Sequence, residues 1–242
     1  MVSKSEDVDE VRRALLVQLL AAGAFLAGRA PLVRAAGVGK LPAPLAKGKS
    51  IYTLAGQVQV NGQVATLDTV IRASDRIETG AGARVVFVVG QDAFILRENS
   101  HLQLGSTGGD FLIDTLRVLS GKLLSVFGKT RHHMSTATAT IGIRGTGVYV
   151  ESQPDESYFC TCYGVTEVQA ADDPSQHETI HSKHHNAPRY ILAAGSAGPR
   201  IRPAPFKNHT DEELELIEAL VGRVPPFVLP GDAYATPRRP GY

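Results

Sequence analysis

A charge imbalance is missing from this sequence. Its 25 Lys and Arg residues stand against 24 Asp and Glu, a formal net charge of +1, and no long basic block interrupts the balance. A nucleic-acid partner, drawn by a concentrated positive surface, is therefore set aside. Between the two ends of the chain, helically spaced apolar runs are absent as well. No segment there supplies what a βαβ crossover needs, so a parallel, Rossmann-like sheet is excluded on pattern. The longest apolar run, Ala14 to Ala27, is short of the roughly 20 residues that span a hydrocarbon layer. No Ser/His/Asp arrangement and no pair of acidic side chains stands out by spacing, and no catalytic residue is assigned.

What is present points to a globular β protein. The 242 residues, 43% of them hydrophobic, suffice for one good-sized domain with a core. Tryptophan is absent, glycine is frequent at 24, and short apolar stretches are punctuated by Gly and polar residues, the texture of many short strands with tight turns. Residues 1–36 read as a signal peptide or membrane anchor: a polar start, Arg12-Arg13, the apolar run, then Arg29 and small residues up to Ala36. The Arg pair resembles a twin-arginine export signal. The expected address is the periplasm, or the periplasmic face of the inner membrane, touched only through this segment if it stays uncleaved. Residues 37–50 are a Gly/Pro/Lys-rich linker.

From 51 to 195 an all-β domain is expected, a twisted solenoid or sandwich of short strands. Candidate strands run Gln57–Val60, Arg76–Glu78, Arg84–Val89, Ala93–Arg97, Leu102–Leu104, Leu112–Leu119, Lys122–Phe127, Thr138–Ile143, Gly147–Glu151, Tyr158–Cys162, Thr166–Ala170 and Tyr190–Ala193. Asn61-Gly62 marks a tight hairpin, because both central residues of a type I′ turn need positive φ. Residues 171–189, polar and His-rich, read as a loop, and His132-His133-Met134 as a turn. The C-terminal extension, 196–242, holds a short helix at 210–222. Thr210 with Glu213 forms its capping box, and Leu214, Ile217, Leu220 and Val221 form a stripe expected to dock on the β-domain.

Two separated motifs carry a family resemblance. Asp75, Ile77, Thr79 and Gly80 stand in an Asp-x-Ile-x-Thr-Gly segment. Thr136, Ala139, Thr140, Gly142, Ile143, Arg144, Gly145 and Thr146 follow in a Thr-x-x-Ala-Thr-x-Gly-Ile-Arg-Gly-Thr segment. Over roughly residues 50–170 the sequence resembles the FecR domain. The resemblance implies a periplasmic β-rich domain used in envelope signalling and protein interaction, with another envelope protein as partner. Too few residues precede Ala14 for the cytoplasmic helical module of sigma-controlling relatives, so signalling is expected through periplasmic contacts. In the second motif and just after it, Gly142, Gly145 and Gly147 are expected where the backbone turns or strands approach closely, and Arg144 where one guanidinium satisfies several carbonyls.

The chemistry-bearing residues lie later. Cys160 and Cys162, alone in the chain, sit one residue apart in a strand-like segment, which places both thiols on one face about 6.6 Å apart at Cα. That spacing strains a disulfide between them and suits shared coordination of zinc, copper or iron. His177, His181, His184 and His185 follow, and His184 with His185 is the expected completing pair, with His177 and His181 as possible further ligands. An exported scaffold or binding domain carrying such a metal is the leading reading. His177-Glu178-Thr179-Ile180-His181 also matches HExxH, the pattern of a zinc-dependent hydrolase. Only Ile180 in that stretch is large and apolar, which speaks against the buried helix such an enzyme needs. A thiol redox sensor using the Cys pair is the third reading.

Overall fold

The computed structural model describes residues 41–228. The expected targeting segment, the start of the expected linker and the final residues lie outside them. The domain is all-β with one C-terminal helix. Its strands are β1 (Ile51–Ala55), β2 (Val58–Val60), β3 (Gln63–Val64), β4 (Arg76–Thr79), β5 (Arg84–Val89), β6 (Asp92–Leu96), β7 (His101–Gly105) and β8 (Thr115–Val126), followed by β9 (Arg131–Ser135), β10 (Ala139–Arg144), β11 (Gly147–Ser152), β12 (Glu156–Ala170), β13 (Asp173–Ser182), β14 (Arg189–Leu192) and β15 (Ile201–Pro203). The helix is α1 (Asp211–Leu220).

Two sheets result, joined by two shared strands. The first runs β1-β5-β6-β8-β11-β12-β14-β15, and the second runs β3-β2-β4-β7-β8-β9-β10-β12-β13. All pairs are antiparallel except β8 with β9. β8 pairs in the second sheet up to Ser120 and in the first from Gly121. β12 pairs with β11 of the first sheet up to Tyr163 and with β13 of the second from Gly164. The crossing point in each strand is a glycine in the left-handed region, Gly121 at φ 90° and Gly164 at φ 93°. A Cβ there would also strike Ser100 and Thr146, at 2.1 Å and 2.4 Å. Only glycine admits both the bend and the approach.

Strands of the first sheet are apolar on both sides, because that sheet is the middle layer. Phe87, Phe94, Leu96, Leu123, Val148, Val150 and Phe159 point at the second sheet and join Ile77, Leu102, Leu116, Met134 and Ile141 in the main core. Their neighbours Val86, Ile95, Leu124, Tyr149, Tyr158, Cys160 and Cys162 point the other way and meet Leu214, Ile217 and Leu220 of α1. The helix is sited by its cap. Thr210 Oγ1 accepts the Glu213 N–H at 3.3 Å, and the Glu213 carboxylate accepts the Thr210 N–H at 3.2 Å.

Several expectations need correction. Leu112–Leu119 and Lys122–Phe127 fuse into β8, and Tyr158–Cys162 and Thr166–Ala170 into β12, since the intervening glycine bends the strand without ending it. The 171–189 loop contains β13, an edge strand of polar side chains with Ile180 and Ser182 turned inward. His132-His133-Met134 lies in β9, alternating buried, exposed and buried. The sheet also runs past residue 195, through β15. Asn61 and Gly62, at φ 53° and 77°, make the expected hairpin turn between β2 and β3.

Candidate metal centre

β12 carries the sulfurs. Cys160 and Cys162, two residues apart on the face turned to α1, are both fully buried and both free thiols. The turn after β13 brings in His185, whose backbone sits in the left-handed region at φ 50° and donates its N–H to the Cys162 carbonyl at 2.8 Å. Asn186 holds that turn by accepting the Lys183 and His184 N–H groups, each at 2.9 Å. The fourth group, His209, directly precedes the helix cap, is 2% exposed, and stacks on the Tyr149 ring at 4.5 Å. Glu151 fixes its neighbours, accepting from Asn208 at 2.6 Å and pairing with Lys207 at 3.0 Å.

Cys160 Sγ lies 3.6 Å from His185 Nδ1, Cys162 Sγ 3.4 Å from His209 Nε2, and the two nitrogens 3.1 Å from each other. All four atoms fall within 4.8 Å of one another. Around zinc, with Zn–S near 2.3 Å and Zn–N near 2.0–2.1 Å, tetrahedral edges are about 3.8 Å for S···S, 3.6 Å for S···N and 3.3 Å for N···N. The two S···N separations and the N···N separation lie close to those edges.

Hydrogen bonding fixes the two rings in the orientation a metal requires. His185 Nε2–H donates to Asp211 at 3.0 Å, and His209 Nδ1–H donates to the Lys207 carbonyl at 2.8 Å. The remaining nitrogens therefore face each other with lone pairs, which demands a cation between them, a proton or a metal. A carboxylate and a carbonyl behind the ligating imidazoles are the partners that orient metal-bound histidines. The electrostatics agree. A hydrogen bond from Cys162 draws Cys160 below the ordinary thiol range, overcoming burial, with His185 and His209 assisting. Burial pushes Cys162 upward, and the neighbouring Cys160 adds to it. Burial also opposes charge on His185, yet Asp211 and Cys160 outweigh it and raise the ring to about 9. These directions favour a negatively charged Cys160 beside a positively charged group, the charge that a cation would supply at this site.

Of the four expected ligands, the structure brings together Cys160, Cys162 and His185. His184 faces away and donates to Asp211 at 2.9 Å. Its place is taken by His209, which sequence reasoning missed; the signal available was a histidine adjoining a capping box, on a helix expected to dock. His177 and His181 stand four residues apart on exposed β13, about 13 Å from each other by strand rise. They cannot share one ion, and Glu178 is engaged by Arg189 at 2.7 Å. The HExxH spacing has no helical face here.

The structural-motif residues sit elsewhere. Asp75 accepts from Asn61 at 2.8 Å and from the Arg72 N–H at 2.7 Å, and Thr79 accepts the Ser100 N–H at 3.0 Å, so this motif ties β2, β4 and β7 together. Gly80 donates its N–H to Gln57 at 2.9 Å. Gly145 and buried Thr146 form the β10–β11 turn, while a Cβ on Gly142 would meet only ordinary contacts. Arg144 is exposed at the end of β10 and, among the described residues, satisfies no carbonyl.

No family model and no curated protein matches the sequence. Two crystal structures of a candidate anti-sigma factor from Parabacteroides distasonis ATCC 8503 are similar, each at 10% identity and a TM-score of 0.43. Each covers 53% of this chain, which spans 58% of that protein's length.

Proposed function

We propose that this chain is an exported, FecR-like β-domain of the bacterial envelope, acting as a binding or scaffold module, in which Cys160, Cys162, His185 and His209 hold one metal ion that clasps the C-terminal helix to the sheet. The observation that carries the metal is the convergence of two buried sulfurs and two oppositely braced imidazoles within 4.8 Å of one another. Two thiolates and two imidazoles suit zinc first and Cu(I) second. Four protein ligands leave no position for an activated water, so the role is structural and not hydrolytic. The clasp follows from the chain path: the sulfurs belong to the middle sheet, whereas His209 adjoins Thr210, the N-cap of α1. The envelope role is supported by the two FecR-type motifs and the targeting segment of the sequence.

Metal analysis of protein purified from the periplasm tests this. One zinc per chain is expected in the wild type and in His177→Ala, with loss in Cys160→Ser and in His209→Ala. A wild type free of metal would refute the clasp, as would a His177→Ala variant that alone loses it.

A further inference from the structure

The proposed ligands are almost sealed from solvent, with both sulfurs fully buried, His209 2% exposed and the His185 side chain 9% exposed. A metal must reach them through the one partly open ligand, His185. An open cleft of about 440 Å³ lies on that side, lined by His184, His185, Phe206, His209, Asp211 and other residues at the start of α1. In it His184 and Asp211 are 48% and 38% exposed, and His184 Nε2 lies 2.9 Å from both Asp211 oxygens. His185 Nε2 lies 3.0 Å from the same carboxylate. The two nitrogens and the carboxylate fall within 4.8 Å of one another.

We infer that His184, Asp211 and the Nε2 edge of His185 form an outer capture site for a divalent transition metal on its way to the inner Cys/His centre. This rests on the metal reading proposed above. Two imidazoles and a carboxylate facing water make an intermediate ligand set: it holds zinc with waters still bound, and it lacks the thiolates that make the inner set tighter. A metal passing through it exchanges water for protein ligands a few at a time, so it is never stripped bare before the sulfurs engage. The shared imidazole enforces the order. His185 Nδ1 faces inward and Nε2 faces outward, and one ring binds a metal at each nitrogen only as the doubly deprotonated imidazolate. The two positions are therefore filled in turn. Once the ion is inside, Nε2 keeps its proton and donates it to Asp211, the bond that orients the ring. The Phe227 ring, 4.7 Å from that of His184, braces the outer ligand from the side.

The signature of a transit site is kinetic. Zinc transfer from the loaded full-length chain to a chromogenic chelator, and zinc uptake by the chelator-stripped chain, are followed for the wild type and for His184→Ala. Release and uptake are both expected to slow on the order of tenfold, the low end of what removing a residue that supports a metal site costs. Affinity and the one-to-one stoichiometry stay unchanged, because His184 touches neither sulfur. Asp211→Asn is expected to lose affinity as well, since it also unlocks His185. Equal rates in His184→Ala and wild type would overturn the capture site while leaving the inner centre intact, as would a second zinc bound together with the first. If the stripped chain does not refold, release from the loaded chain alone decides the matter. A wild type that never holds zinc would instead defeat the inner site.

Discussion

The two faces of the middle sheet are built from the same strands and are held by different physics. The face toward the second sheet is closed by apolar packing, with Phe87 and Phe94 stacked at 4.8 Å and Phe127 edge-on to Phe94 at 5.9 Å. The face toward α1 mixes Leu and Ile contacts with ion pairs to two buried helix carboxylates. Glu213 receives Arg84 and Arg97 at 3.0 Å and 2.8 Å, and Glu218 binds Arg223 at 2.6 Å and the Tyr163 hydroxyl. Apolar burial is non-directional and tolerates adjustment, whereas ion pairs and ligands need their partners in place. The inner face is thus self-sufficient once the sheets meet. The outer face is complete only when the segment from Lys207 to Leu220 is docked.

The largest expected effect lies on the inner face. Phe94→Ala, at a position with no exposure, is expected to cost about 3–5 kcal/mol by chemical denaturation, with or without a chelator present. Equal sensitivity to chelator and to this truncation would erase the distinction between the faces. Next comes Glu213→Gln, which leaves Arg84 and Arg97 without their counter-charge. Both arginines keep about a quarter of their exposure, so the expected cost is about 2 kcal/mol, below that of a sealed pair, with the loss of protection confined to 207–222 in hydrogen exchange.

Asp92 probes the inner side with a charge. Its carboxylate lies 3.7 Å from His132 Nε2, close enough for an ion pair, yet burial raises Asp92 to about 7 against the Gly128 N–H and Arg223, and burial lowers His132. Burial governs both groups, so in the window above the lowered His132 pKa and below about 7 both partners are neutral. Because its folded pKa exceeds the unfolded one, the contribution of Asp92 to stability is fully present below about pH 4 and is lost as pH rises to about 7, whereas the lowered His132 acts oppositely and costs stability as pH falls. Asp92→Asn is expected to flatten that slope and to stabilise the protein by about 2 kcal/mol above pH 7, measured by denaturation across pH. The smallest effect is Thr210→Ala, a lost cap of about 1 kcal/mol that loosens the residue next to His209.

Local signals in the sequence were legible because their partners are close. The Asn61-Gly62 turn, the Thr210–Glu213 capping box and the shared face of Cys160 and Cys162 all depend on groups within three residues. Where the answer lay in distant partners, reading failed. His209 is 47 residues from Cys162, its nearest sulfur. β13 shows almost no apolar alternation, since it borders solvent and borrows its order from β12. The bends at Gly121 and Gly164 resemble chain breaks, because glycine that redirects a strand and glycine that ends one look alike in sequence.

Those two bends have a consequence for how the molecule comes apart. β8 and β12 each belong to both sheets, so neither sheet can be peeled away while the other survives. Removing either strand cuts the ladder of both, and the amides of the two layers open to solvent together as one cooperative unit. Among the described residues, the docked helix stands outside that unit and is the element able to open first.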